Sequence, residues 1–157
     1  GVLGLEALSR GAADVVFIEN NRQSWENLKR NLDVLKQGSG SNAADRARLY
    51  HEDAIKFLHT LSQGKETNSK SGSTKCDLTQ IDQNRFDLVF LDPPFHKNQL
   101  SQSCSLLDSS GCLAEDAIIY VEHAIDEVVE LPANWDCVKQ KVAGQVAYKL
   151  YIVNQSR

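Results

Sequence analysis

The sequence lacks the features that send a chain into or across a membrane. No apolar run approaches the roughly 20 residues that a membrane-spanning helix needs, and no charged-then-apolar leader opens the chain. We therefore expect no membrane partner and a cytoplasmic location. The 157 residues also contain no Met, and Gly1 stands inside a patterned segment. We expect the chain to be an N-terminally incomplete part of a longer protein.

Paired cysteines and an excess of positive charge are also missing. The four cysteines are scattered without a C-x-x-C pair or a His at ligand spacing, which predicts neither a metal site nor a disulfide framework. Seventeen basic residues stand against 21 acidic ones, so the broad basic face typical of nucleic-acid-binding proteins is weak. Lys139, Lys141 and Lys149 near the end of the chain suit either a solvated surface or a small phosphate-contacting patch.

The sequence does contain a repeated alternation of short apolar runs and amphipathic segments. The predicted helices cover residues 2–9, 22–37, 54–61 and 99–107, the second of them capped by Asn21 and ended by Gly38. The predicted strands cover residues 13–19, 48–51, 86–91 and 117–122. All of these strands except the second are apolar enough to be buried on both faces. This alternation predicts an α/β fold with a mostly parallel sheet and helices on both faces.

Two segments depart from the alternation. Residues 136–142 and 146–153 are β-rich runs around a central Gly144, which predicts an antiparallel hairpin at the edge of the sheet. Residues 62–84 are polar and rich in Ser, Thr, Gly, Lys and Asn, which predicts a flexible surface loop. No other segment resembles a linker, so we expect a single domain over residues 1–157.

Ligands bind at the carboxyl ends of the strands in open parallel sheets, and several residues stand there. Gly1 precedes the first helix, whose free N–H groups suit a polar or charged ligand. Glu19 ends the first predicted strand, where an acid can accept hydrogen bonds from both hydroxyls of a ribose. Asp53 and Ala54 follow the next strand and could contact an adenine amino group. Asp53 is about equally suited to be a plain helix N-cap.

The motif Asp92-Pro93-Pro94-Phe95 follows the apolar run 86–91 directly and is the strongest functional signal in the chain. Each residue before a proline is pushed to an extended conformation, and neither proline has an N–H, so the corner is stiff and rich in acceptors. The Asp92 carboxylate and the Pro93 carbonyl can accept both hydrogens of an exocyclic amino group. Phe95 offers a flat face for an extruded base. We therefore predict a catalytic corner that positions a base amine for methyl transfer.

At this point the sequence resembles the class I S-adenosylmethionine-dependent methyltransferases, and within them the bacterial 16S ribosomal RNA guanine-N2 methyltransferase family. The segments that carry the resemblance are GVLGLEALSRGAA (1–13), FDLVFLDPPF (86–95), IYVE (119–122) and KVAGQVAYKLY (141–151). The resemblance implies a Rossmann-like fold whose first strand is missing from this chain. It also implies that residues 62–84 are an insertion.

The same resemblance implies a function. It implies methyl transfer from S-adenosylmethionine to the N2 amine of a guanine in small-subunit rRNA, in free RNA or an assembling particle. The implied cofactor contacts are Gly1, Glu19, Asp53, Ala54 and Asp92, and the implied catalytic residues are Asp92, Pro93, Pro94 and Phe95.

Two other functions stay open on the sequence. An enzyme acting on adenine N6 in DNA or RNA would use the same Asp-Pro-Pro-Phe corner, so the corner alone does not decide the base. A truncated Rossmann-like domain that binds without catalysis is the second alternative. A nicotinamide-dependent dehydrogenase would share the glycine loop and Glu19, but the sequence has no suitably placed catalytic donor for hydride transfer.

Overall fold

The computed structural model describes residues 1–38, 44–62, 85–93 and 99–154, which form two compact units, Gly1–Phe57 and Leu58–Arg157. The helices are α1 (Val2–Ser9), α2 (Arg22–Gly38), α3 (Ala54–Ser62) and α4 (Gln99–Ser109), with a short 3-10 helix at Ala44–Arg46. The strands are β1 (Val15–Glu19), β2 (Ala47–His51), β3 (Phe86–Leu91), β4 (Leu113–Ala124), β5 (Trp135–Ala143) and β6 (Val146–Val153). The α/β fold class is confirmed. None of the described helices has the length and hydropathy needed to cross a membrane.

The first unit is a parallel pair of strands, β1 and β2, packed with helices. Glu19 at the end of β1 lies opposite His51 at the end of β2. Helix α1 lies so close to β1 that a Cβ atom on Gly4 would stand 2.3 Å from a ring carbon of Phe17. Gly11 has a φ of +94°, which allows the tight turn from α1 into β1. The buried core of this unit comprises Leu8, Phe17, Leu28 and Leu32.

Helix α2 begins as the sequence predicts. The Asn21 side-chain oxygen accepts a hydrogen bond from the Ser24 N–H at 3.0 Å, which confirms the predicted cap. Leu28 and Leu32 of the predicted apolar stripe are buried, while Trp25 is half-buried. Burial of this stripe against β1 and β2 holds α2 in place, since helix propensity alone stabilises a 17-residue helix only marginally.

The second unit is a four-stranded mixed sheet in the order β3-β4-β6-β5. β3 and β4 are parallel, whereas β6 runs antiparallel to both β4 and β5. Helix α4 packs against β4, and the apolar residues buried on these two elements include Leu100, Cys104, Leu107, Ile119 and Val121. Gly144, with a φ of +59°, forms the predicted hairpin turn between β5 and β6.

The antiparallel hairpin of β5 and β6 lies at one edge of the sheet, as predicted, with β5 as the outer strand. Two expectations about the strands are corrected. β3 was expected to be buried, but none of its residues is buried and Leu88 is 44% exposed, since β3 has a single partner in this sheet. In β1, only Phe17 is buried, again in a strand with one partner. The segment predicted as a loop lies, apart from Ser62, outside the described residues.

Candidate functional site

Glu19 lies at the carboxyl end of β1, as the sequence predicts. Its side chain is half-buried, and its Oε1 atom accepts a hydrogen bond from the Asn21 N–H at 2.7 Å. This bond fixes the carboxylate against the start of α2. A carboxylate has acceptor sites on both oxygens, so Glu19 keeps capacity for a hydroxyl donor while it holds this backbone group.

Asp53 and Ala54 lie at the start of α3, just beyond the end of β2. The Asp53 Oδ1 atom accepts a hydrogen bond from the Lys56 N–H at 3.1 Å, so the alternative of a helix N-cap is confirmed for this residue. The Glu52 N–H donates to the Glu19 carbonyl at 3.2 Å. This bond ties the end of β2 to the end of β1 and brings the two acidic positions to one edge of the first unit.

Gly1 is the N-cap residue of α1 and is exposed. Its carbonyl accepts a hydrogen bond from the Leu5 N–H at 3.2 Å. A Cβ atom added to Gly1 would stand 2.7 Å from a methyl carbon of Leu28, so packing against α2 already favours glycine here. Because α1 runs back along β1, Gly1 lies towards the carboxyl end of that strand, the end that Glu19 occupies. A role of Gly1 in cofactor binding stays a prediction.

These residues fit the ribose and base of a nucleoside. Glu19 and Asp53 each offer carboxylate oxygens beyond the one that binds backbone. Ala54 is the exposed first residue of α3, in the turn where helical N–H groups lack partners within the helix. The carboxylates of this set can accept hydrogen bonds from hydroxyl and amino groups of a ligand. Among the described residues, no three His, Cys, Asp or Glu side chains come together as metal ligands.

Asp92 and Pro93 lie in the second unit, directly after β3. Asp92 is exposed and Pro93 is half-buried. The register of β3 and β4 pairs Leu91 with Val121, so Asp92 falls beside the next residue of β4, Glu122. Pro94 and Phe95, the other two predicted catalytic residues, lie outside the described residues.

Beside Asp92, side chains form two rows across one face of the four-stranded sheet, opposite the face with Ile119 and Val121. We call this surface the tyrosine face. Its first row is Asp92, Glu122, Tyr148 and Lys141, and its second row is Phe90, Tyr120, Leu150 and Lys139. Side chains in register on adjacent strands lie close enough to contact one another. The rows therefore connect the end of β3 to the lysines of β5.

Contacts along these rows show that the tyrosine face is packed locally. The Tyr120 hydroxyl donates to Glu122 Oε1 at 2.7 Å. The Tyr120 ring lies 5.8 Å from the Phe90 ring, edge to face, and 6.5 Å from the Tyr148 ring. Burial raises the pKa of the Tyr120 hydroxyl, and the hydrogen bond to Glu122 and the charges of Glu122 and Asp92 raise it further. Tyr120 therefore stays a neutral hydrogen-bond donor at physiological pH.

The lysine end of the tyrosine face is concave. A cavity of about 430 Å³ is lined by residues that include Tyr120, Tyr148, Lys139 and Lys141. Both lysines are exposed, and no described salt bridge includes either of them. Cations beside aromatic rings are the combination that proteins use to bind single-stranded nucleic acid.

Sequence reasoning left Tyr120, Glu122 and Tyr148 without a role. The alternation of Tyr120 and Glu122 at i and i+2 was a signal that the two side chains share a face. Which lysines join them depends on how β5 pairs with β6, and that pairing shifts between Cys137 and Lys139. No local pattern in the sequence reveals this shift.

Comparison with known proteins finds a matching family model and several similar proteins. The family model described as conserved hypothetical protein 95 matches residues 1–69 and 53–152. The chain belongs to this family. The ribosomal RNA small subunit methyltransferase D of Escherichia coli K12 is 38% identical to it over 96% of the chain, and that of Haemophilus influenzae is 37% identical, also over 96%.

The chain spans 63% of the length of the Escherichia coli relative and 66% of the Haemophilus influenzae relative. Solved structures agree with the family. A candidate methyltransferase from Escherichia coli matches with a TM-score of 0.73 and 37% identity, covering 98% of this chain and 71% of that one. A candidate methylase from Haemophilus influenzae matches with a TM-score of 0.74 and 35% identity, covering 99% and 81%. The Rossmann-like fold expected from the sequence is confirmed by these structures.

Proposed function

We propose that the protein transfers a methyl group from S-adenosylmethionine to the N2 amine of a guanine in small-subunit rRNA, in the cytoplasm. The observation that carries this proposal is the acceptor corner of Asp92 and Pro93, which directly follows β3 in a member of this family. The names of the relatives support rRNA of the small subunit as the substrate. The base and its N2 position rest on the chemistry of the corner and on the sequence resemblance.

The cofactor contacts that we propose in the first unit are Gly1, Glu19, Asp53 and Ala54. Glu19 would accept hydrogen bonds from the ribose hydroxyls, since its carboxylate is already oriented by the Asn21 N–H. Asp53 would accept from the adenine amino group while it caps α3. S-adenosylmethionine, when bound, supplies a methyl group on a positively charged sulfur, which the amine nitrogen takes with loss of one proton.

In the second unit, we propose that Asp92 and Pro93 hold the target amine. The Asp92 carboxylate would accept one amine hydrogen and the Pro93 carbonyl the other, with Phe95 and Pro94 completing the corner. An amino nitrogen conjugated to a base ring is a poor nucleophile, so fixing both hydrogens orients its lone pair. Asp92 then takes up the proton that the nitrogen loses. Positioning of this kind supplies a large part of the rate acceleration in two-substrate reactions.

The lysine end of the tyrosine face supports RNA as the partner. Lys139 and Lys141 project beside the rings of Tyr120 and Tyr148 in one concavity. Phosphate contacts by lysine fix the position of a nucleic acid and dominate its affinity, whereas aromatic rings stack with unpaired bases. The chain is acidic overall, with a net charge of −4. Attraction of RNA phosphates therefore depends on local basic patches such as this pair of lysines.

The experiment that tests the proposal uses the protein at the length that its gene encodes. Small subunits and naked rRNA from cells lacking the gene are incubated with the protein and radiolabelled S-adenosylmethionine. We expect N2-methylguanosine in digested rRNA by mass spectrometry, at one position mapped by primer extension. The Asp87→Ala variant is a matched control, because Asp87 is an exposed acid on the same strand that precedes the corner.

The two alternative functions predict other products. N6-methyladenosine in place of N2-methylguanosine would overturn the choice of base and favour the adenine enzyme. Absence of both products, together with no calorimetric binding of S-adenosylmethionine at millimolar concentration, would favour a non-catalytic binding domain.

A further inference from the structure

Glu122 is a second carboxylate beside the proposed acceptor corner. Asp92 directly follows Leu91, the last residue of β3, and Leu91 pairs with Val121, so continuing this register by one residue puts Asp92 beside Glu122. Adjacent strands lie about 4.8 Å apart. Both side chains belong to the tyrosine face. The Tyr120 hydroxyl donates a hydrogen bond to Glu122, and the charge of Asp92 is one of those that raise the pKa of this hydroxyl. The two acids and the hydroxyl therefore form one cluster.

This cluster has more acceptors than donors. Glu122 Oε1 accepts a hydrogen bond from the Tyr120 hydroxyl at 2.7 Å. No described salt bridge includes Asp92 or Glu122. Within the described ranges, no hydrogen bond is made to Glu122 Oε2. Ionised carboxylates only accept hydrogen bonds, so two neighbouring carboxylates suit a ligand that presents several N–H donors along one edge.

Guanine is the base with such an edge. Its N2 amine carries two hydrogens and the adjacent ring nitrogen N1 carries a third, so three donors lie side by side. Adenine also has an exocyclic amine, but its adjacent N1 carries a lone pair, which a carboxylate would repel. A second carboxylate next to the amine-binding acid therefore distinguishes guanine from adenine, which the Asp-Pro-Pro-Phe corner alone does not.

We propose that Glu122, oriented by the Tyr120 hydroxyl, accepts the N1–H of the target guanine while Asp92 holds its N2 amine. Glu122 is then a specificity-determining residue, and Tyr120 is a positioning residue that acts through it. This inference rests on the proposed function and deepens it by assigning the choice of base to one side chain. Enzymes that read a flipped base do so by hydrogen bonds to this edge.

The test compares two bases that share the C2 amine and differ at N1 and C6, and the variants below assign the part of the difference that Glu122 causes. Once the methylated guanine is mapped, the surrounding RNA fragment is synthesised with guanine or with 2-aminopurine at that position, and assembled with small-subunit proteins where the naked fragment is not modified. 2-Aminopurine keeps the amine but has no hydrogen on N1 and no oxygen on C6. We expect the wild-type protein to favour guanine by at least about tenfold in kcat/KM, because a hydrogen bond to a charged acceptor is lost.

Two variants then assign the preference to Glu122. In Glu122→Ala, we expect the ratio of the two kcat/KM values to fall close to one. The isosteric Glu122→Gln variant controls for misfolding caused by the loss of side-chain volume. In this variant we expect the ratio of the two kcat/KM values to fall by at least about threefold, since a neutral acceptor binds more weakly. Glu115→Ala changes an exposed acid of the same strand and is expected to keep the wild-type ratio. S-adenosylmethionine affinity is expected to stay unchanged in all three variants.

The outcomes separate this inference from the function on which it rests. Methylation of guanine with the same preference in wild type, Glu122→Ala and Glu122→Gln would overturn the role of Glu122 and leave the proposed function intact. A wild-type protein that does not distinguish the two bases would overturn it as well. Absence of N2-methylguanosine in every substrate would instead overturn the proposed function, and this inference with it.

Discussion

The two units hold their candidate residues in different ways. In the first unit, Glu19 and Asp53 each bind a backbone N–H two or three residues further along the chain. In the second unit, Asp92, Glu122 and Lys141 belong to a row that crosses four strands and draws on residues far apart in sequence. The first arrangement is local, whereas the second depends on strand pairing.

This difference separates two kinds of functional residue. An acid that also caps a helix is positioned by its neighbours, so its removal affects both ligand and local structure. A side chain in a cross-strand row is positioned by the sheet, so its removal leaves the backbone pairing intact. Substitutions in the two units should therefore separate binding, turnover and stability in different ways.

The largest effect is expected for Asp92→Ala in the second unit. Loss of the amine acceptor should lower kcat for methyl transfer by at least about 100-fold, while calorimetric affinity for S-adenosylmethionine changes by no more than a few-fold. Single-turnover assays with saturating cofactor measure the first quantity. Turnover close to that of the Asp87→Ala control would eliminate the proposed role of Asp92.

A smaller effect on a different quantity is expected for Glu19→Ala in the first unit. Loss of a charged acceptor for the ribose should raise the Kd for S-adenosylmethionine by about 10- to 100-fold, as measured by calorimetry. Glu26→Ala is the matched control, because Glu26 pairs with Arg22 on the surface of the following helix. An unchanged Kd for Glu19→Ala would mean that Glu19 serves only the start of α2.

Packing of the first unit is tested by Gly4→Ala. The added Cβ would stand 2.3 Å from a Phe17 ring carbon, and overpacking of this kind costs about 1–3 kcal/mol, against about 1 kcal/mol gained by replacing glycine in a helix. The overlap is severe, so the upper part of this range applies, and we expect a net loss of about 1–2 kcal/mol in the free energy of unfolding, measured by urea denaturation. Glu6→Ala on the exposed side of α1 should change it by less than about 0.5 kcal/mol, and equal stability of the two variants would contradict the close packing.

The smallest effect is expected for the double variant Lys139→Ala/Lys141→Ala. If both lysines contact phosphates, RNA affinity should fall by a few-fold and the slope of log K against log salt should decrease by about 1.4, the value for two contacts to a single strand. Filter binding over a range of salt concentrations measures both. The Arg10→Ala/Arg22→Ala variant removes two exposed charges from the first unit and serves as a control. If the lysine variant and this control have the same slope of log K against log salt, an RNA contact at the lysine end is contradicted.

Prediction from sequence succeeded where the signal was short-range. Helix α1 begins and ends where its spacing predicts, and the Asn21 cap is present. Glu19 and Asp53 lie at strand ends because a strand and the polar residue after it are contiguous in sequence. The burial of β3 was predicted wrongly, because an apolar run shows that a strand prefers to be covered and not how many partners it has.

The candidate site in the second unit was predicted only in part. The Asp92–Pro93 corner is visible as a motif, but its neighbours Glu122 and Tyr148 are not, since they join it through strand order. The shift in pairing between Cys137 and Lys139 decides that Lys139 and Lys141 face the tyrosines. A slip of one residue would turn both lysines to the other face of the sheet.

The amino-acid sequence by itself determined the elements, their caps and the acids at the strand ends, because each depends on residues within a few positions of one another. Only the tertiary structure decided that β6 lies between β4 and β5 and that two acids, two tyrosines and two lysines share one face. Strand order and register are set by the burial of one sheet face against α4 and by hydrogen bonds between distant segments. Those are energies of the folded chain as a whole, and no local pattern in the sequence carries them.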